Sequence, residues 1–142
     1  MSYENAQSPE WEPMLAGAWE AWSQAYAPYS HFKVGAALAF PGGRIVVGCN
    51  VENAAYPVGL CAERGAISAA VAQGLRRPGP IALVVVTEAS SLTPPCGACR
   101  QVLAEFAAEL PSLLANRQQR TLYRLEELLP HAFTGRHLGI LD

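Results

Sequence analysis

Near the start of the chain, apolar positions recur at helical intervals. Trp11, Met14, Leu15, Ala18, Trp22 and Tyr26 are separated by combinations of three, four and seven residues. This stripe predicts an amphipathic helix over 11–26, stopped at Pro28. The period then shortens: FKVGAALAF (32–40) alternates and is rich in small and branched residues, Pro41, Gly42 and Gly43 supply a turn, and RIVVGCNVEN (44–53) runs back. That pattern predicts a β-hairpin. After the loop NAAYPVG comes a helix from Cys61 to about Gln73, ended by Gly74, with Pro78 and Pro80 closing the connection.

IALVVVT (81–87) is branched and apolar without alternation, as expected of a central strand covered on both faces. The loop EASSLTPP leads into CGACRQVLAEFAAEL (96–110), a second helix of the same small-residue kind, stopped by Pro111. SLLA (112–115) and TLYRL (121–125) flank NRQQ as a second hairpin, and short helical or irregular structure is expected from Leu125 onward. The order helix, strand, strand, helix, strand, helix, strand, strand describes a mixed sheet with helices packed on it. No internal repeat, linker or low-complexity segment interrupts it.

Composition sets the scale. With 142 residues, 51% hydrophobic and 15% charged, the chain is expected to form one domain over 1–142, burying roughly 68% of its unfolded surface. A formal charge of -2 offers no excess of Lys and Arg, which disfavours long nucleic acid as a partner. No apolar run approaches the ~18 residues of a membrane span, and MSYENAQSPEWEP lacks the basic and apolar regions of a signal peptide. A soluble, cytoplasmic protein is expected.

The four cysteines, Cys49, Cys61, Cys96 and Cys99, change the picture more. In a reducing compartment, a chain of this size needs no disulfide staples, and the spacing suggests metal. Cys96 and Cys99 stand three apart at a helix start, where both thiols can face one side and the helix dipole favours thiolate. Cys61 starts the other helix. If the two helix N-termini converge, three sulfurs meet around a tetrahedral zinc ion and leave one vertex for water. Glu63, two residues after Cys61, is then available to manage that water's protons. Three thiolates outweigh the dication, so a cation nearby would offset them: Arg64 first, Arg100 second. The alternatives are a redox or fortuitous C-x-x-C pair, surface ion pairs for the two arginines, and a closed structural site with Cys49 as fourth ligand. A small buried free thiol is the more ordinary fate of Cys49.

Asn50 and Glu52 lie two apart on an extended backbone, so an amide and a carboxylate face the same way, suited to a diol such as ribose; the competing reading is a solvated loop. Taken together, YSHFKVGAAL, GCNVENAAY, CAER, PPCGACRQ and ELLPHAF resemble the zinc-dependent cytidine deaminases of the small homotetrameric class, over about Tyr26 to Phe133. PPC replaces that family's more usual SPC, and Ala98 stands where the related blasticidin deaminases carry an arginine. The resemblance implies a three-layer α/β/α sandwich with a mixed five-stranded sheet. It implies hydrolytic deamination of cytidine and 2'-deoxycytidine, as in pyrimidine salvage, with one zinc per subunit.

Carried over residue by residue, the resemblance implies Cys61, Cys96 and Cys99 as zinc ligands, Glu63 as the catalytic proton shuttle and Arg64 as donor to the cysteine sulfurs. Asn50 and Glu52 become partners of the ribose hydroxyl. Phe32 matches an aromatic near the nucleoside, and Phe133 one that a neighbouring subunit of a homotetramer lays against the base. The bland readings are Phe32 in the core and Phe133 anchoring its own C-terminal segment. His31, His131 and His137 have no ligand spacing and are expected to be spectators. The remaining rivals are a deaminase of a modified or antibiotic nucleoside, a polynucleotide-editing deaminase, and a zinc-stabilised interaction domain.

Overall fold

In the computed structural model, which describes residues 3–140, the chain forms α1 (Trp11–Ser23), β1 (Gly35–Phe40), β2 (Arg44–Cys49), α2 (Ala62–Ala72), β3 (Ala82–Val86), α3 (Gly97–Phe106), β4 (Pro111–Ala115), β5 (Arg120–Arg124) and α4 (Leu125–Leu128). One-turn 3-10 segments cover Tyr56–Val58 and Gly135–Leu138. The sheet order is β2-β1-β3-β4-β5. β3 and β4 run parallel, and every other neighbouring pair is antiparallel. Both predicted hairpins are present, with Leu38 opposite Val46 in the first and Leu113 opposite Leu122 in the second.

The sheet divides the interior into two cores because successive side chains of a strand point to opposite faces. Ala37, Ala39, Val84, Val86 and Leu113 pack under α1 against Trp11, Met14, Leu15 and Ala18. Leu38, Phe40, Leu83, Val85 and Leu114 face α2 and α3 and meet Ala66, Ile67, Ala70 and Leu103. The result is the expected three-layer α/β/α arrangement. β1 and β3 are buried at every position, having helices on both sides.

Helix and strand ends differ from the sequence reading. α1 stops at Ser23, three residues before Tyr26. Tyr26 is 56% exposed, and its backbone pairs instead with the segment after β2: the Tyr26 amide donates to the Asn50 carbonyl at 3.0 Å and the Glu52 amide to the Tyr26 carbonyl at 2.8 Å. β1 begins at Gly35 and β2 ends at Cys49; beyond them the Asn50 amide still donates to the Val34 carbonyl, but Val51 pairs with Leu60 and Glu52 with Tyr26. α3 ends at Phe106, four residues before Leu110. Ala107 is extended there (φ -160°, ψ 90°), which lets Leu110 enter the core and Pro111 open β4. A residue before proline also favours extended backbone.

Candidate active site

Cys61 is the N-cap of α2 and Cys96 the N-cap of α3, both with extended backbone. Both helices lie on the same face of the sheet, so their N-termini bring the sulfurs together. Cys61 Sγ lies 3.9 Å from Cys96 Sγ, and Cys96 Sγ 3.3 Å from Cys99 Sγ. All three sulfurs lie within 4.8 Å of one another, the one such metal-capable group among the described residues. Sulfurs about 2.3 Å from a tetrahedral ion would be separated by about 3.8 Å. The set therefore fits zinc with small side-chain adjustments. Cys49 is outside the group and is half-buried rather than enclosed; burial pushes its thiol pKa up.

Hydrogen bonds and burial set Cys96 and Cys99 apart. Burial raises the pKa of Cys96, but bonds from the Cys99 amide and thiol, with smaller contributions from Cys61 and the Ala98 amide, outweigh it and leave it lowered. Cys99 is buried, and desolvation followed by the nearby Glu63 charge raises its pKa strongly. Arg64 Nη2 donates to Cys61 Sγ at 3.4 Å. That bond and, secondarily, Cys99 raise the guanidinium's pKa, so the cation faces the sulfurs rather than a surface carboxylate. Arg100 does neither. Its Nε donates to the Pro95 carbonyl at 2.8 Å and its Nη1 to the Leu128 carbonyl at 2.7 Å, tying the segment before Cys96 to α4.

Glu63 follows from the first turn of α2 into a cavity of about 500 Å³ and is only 5% exposed. Desolvation raises its carboxyl pKa, with Arg64 opposing more weakly. Cys61, Cys96, Arg64, Phe32, Asn50 and Glu52 share the cavity wall with it. A buried carboxyl whose pKa is raised, beside the cysteine sulfurs, is suited to proton transfer.

Asn50 and Glu52 also organise the backbone around the cavity. The Asn50 side-chain Oδ1 accepts from the Val34 amide at 2.8 Å, and its Nδ2 donates to the Phe32 carbonyl at 2.8 Å. Glu52 Oε1 accepts from the amides of Tyr29 (2.9 Å) and Ser30 (3.1 Å), and Oε2 accepts from the Ser30 hydroxyl. Phe32 is 40% exposed and is not core. Phe133 is 58% exposed, stands outside its own chain's cavity and stacks on His137 at 5.5 Å. Its carbonyl accepts from Gln101 Nε2 at 2.6 Å. His137 has a structural part: its Nδ1 accepts from the Thr134 amide at 3.0 Å and caps the last 3-10 turn. Ser30, missed in the sequence reading, lines the cavity; the serine in YSHF carried no spacing signal that could have singled it out.

Residues 10–111 match the cytidine and deoxycytidylate deaminase zinc-binding region. The chain belongs to this deaminase family. The cytidine deaminase of Sporosarcina psychrophila is 44% identical over 132 residues, 90% of this chain and 94% of that protein. The 1.6 Å crystal structure of cytidine deaminase from Burkholderia pseudomallei superposes with a TM-score of 0.82 at 44% identity, covering 86% of this chain and 98% of that one. The cytidine deaminase structure from Mycobacterium tuberculosis gives 0.75 at 40% identity, with 89% and 98% covered. The deaminase domain is thus a zinc-binding one, and its three-sulfur group is able to hold the ion. No helix among the described residues is long and apolar enough to cross a membrane.

Proposed function

We propose that this deaminase converts cytidine and 2'-deoxycytidine to uridine and 2'-deoxyuridine with release of ammonia, and that Cys61, Cys96 and Cys99 hold one zinc per subunit. The observation that carries the reading is the buried Glu63 carboxyl in the same cavity wall as Cys61 and Cys96. Relatives named cytidine deaminase over most of both chains support the substrate.

Zinc, when bound, acidifies water so that hydroxide is accessible near pH 7. Glu63 accepts a proton from the attacking water and delivers it to N3 as oxygen bonds to C4. It then carries the second proton to the amino nitrogen as the C4–N bond breaks. Burial supports this cycling by bringing the carboxyl's two protonation states closer in energy at working pH. Arg64, bonded to Cys61, withdraws negative charge from the sulfurs and so preserves the metal's acidity. In the same cavity Asn50 and Glu52 meet a sugar hydroxyl, and Phe32 borders the nucleoside.

Phe133 is assigned to the cavity of a neighbouring subunit in a cytoplasmic homotetramer. Its exposure and its absence from its own cavity support that assignment. The test is the ultraviolet absorbance change of cytidine with wild type and with Glu63→Ala at matched zinc content. Rapid loss by wild type alone is expected; intact cytidine with zinc-loaded wild type would overturn the proposal.

A further inference from the structure

The Ser30 hydroxyl stands between two residues assigned to the substrate. It donates to Glu52 Oε2, and the Phe32 amide donates to it at 3.0 Å. The Ser30 backbone contributes as well, since its amide bonds Glu52 Oε1 at 3.1 Å beside that of Tyr29. Between Ser30 and Phe32 the chain turns through His31 in the left-handed region (φ 60°), which brings the Phe32 amide back over Ser30. One side chain thus joins the carboxylate on the segment after β2 to the aromatic on the segment before β1. Ser30 and Glu52 border both the main cavity and an adjoining hollow of about 320 Å³.

We propose that Ser30 is a positioning residue, whose hydroxyl holds the Glu52 carboxylate and the Phe32 backbone in one frame so that the sugar-facing wall is set before substrate arrives. The proposal rests on the assignment of Glu52 to a sugar hydroxyl. An exposed carboxylate has several rotamers of similar energy, and holding it in advance removes an ordering cost from binding. Ser30 touches no atom that changes bonding, so its removal acts on KM more than on kcat.

The Ser30 hydroxyl is also the largest cause of the lowered Glu52 pKa, followed by the Ser30 amide, with the Tyr29 amide and the charge on His31 adding to it. A depressed carboxyl pKa means that the ordered, ionised form persists to lower pH and is lost as pH falls through it. Without the hydroxyl that loss comes at higher pH.

Three proteins, wild type, Ser30→Ala and Ser30→Thr, are compared by steady-state kinetics on cytidine from pH 4 to 8 and by carbon-detected NMR titration of Glu52. Ser30→Ala is expected to raise KM about fivefold with kcat within about twofold, and to move the Glu52 midpoint up. Ser30→Thr, which keeps the hydroxyl, restores both. An unchanged KM in Ser30→Ala, or a loss confined to kcat, overturns the positioning role. If wild type leaves cytidine intact, the deaminase assignment fails, and the NMR titration alone decides: the same Glu52 midpoint in all three proteins overturns the role of Ser30.

Discussion

Gly48 of β2 lies so close beneath α2 that a Cβ built on it would stand 2.4 Å from the Ala62 carbonyl oxygen and 2.5 Å from the Ala66 amide nitrogen. Both obstacles are backbone, and neither can rotate away. Gly48→Ala should lift the helix that begins with Cys61 and Glu63, costing about 3 kcal/mol or more, at or beyond the upper end of ordinary overpacking. Denaturant melts with parallel zinc analysis check this. A fully stable, zinc-replete variant would show that the close approach does not seat the helix.

Glu63→Ala should keep its zinc, because no sulfur is altered, and lose at least about 10² to 10⁴ in turnover on cytidine, the range of a positioned acid/base. Turnover is read by ultraviolet absorbance and metal by elemental analysis on the same sample. A near wild-type rate would remove the proton-shuttle role.

Cys96→Ala takes away both a sulfur of the group and the cap of α3, whose Sγ accepts from the Cys99 amide at 3.4 Å. It should lose zinc and, with it, much of the thermal stability, since metal binding free energy is folding free energy. Cys49→Ser should keep both, because Cys49 lies outside the sulfur group. Zinc retained in Cys96→Ala but lost in Cys96→Ala/Cys49→Ser would make Cys49 a substitute ligand.

Arg64→Ala should weaken zinc affinity or activity about 10- to 100-fold, the usual effect of removing a partner of a metal ligand. Arg64→Lys should recover only part of this, because an ammonium on a flexible stem lacks the planar fork of donors that reaches the sulfurs. Competition with a chromogenic chelator measures the affinity. Equal affinity in wild type and Arg64→Ala would return Arg64 to a bystander.

Phe133 gives a test of sharing between subunits. Glu63→Ala chains mixed and reassembled with Phe133→Ala chains should show more activity at low cytidine than either variant by itself, since some cavities would receive an intact Glu63 and an intact Phe133. No gain on mixing, in a sample shown to contain hybrid oligomers, would confine Phe133 to its own subunit.

The chemistry of the site was legible in local spacing. Two thiols three apart at a helix start, and a thiol two before a glutamate at another, each need only one turn of helix to define which way they face. Helix and strand identity followed from periodicity for the same reason, as in the all-branched run that became β3. Helix ends were less legible: α1 and α3 each stop short of the nearest proline because Tyr26 and Leu110 are claimed by partners distant in sequence, Asn50 and the core.

Readable along the chain, then, are the set of elements, the three candidate sulfurs and the acid beside them, all properties of a few neighbouring residues. The tertiary structure alone decided that Cys61 meets Cys96 and Cys99 while Cys49 stays apart, since that depends on where α2 and α3 lie on one sheet face, and the former on Gly48 admitting a helix at backbone distance. It alone decided the parts of Arg100 and Ser30. Arg100 turns to two carbonyls, and Ser30 to a carboxylate 22 residues away. A polar side chain's partner is set by whatever the fold brings within about 3 Å, and no periodicity along the chain encodes that distance.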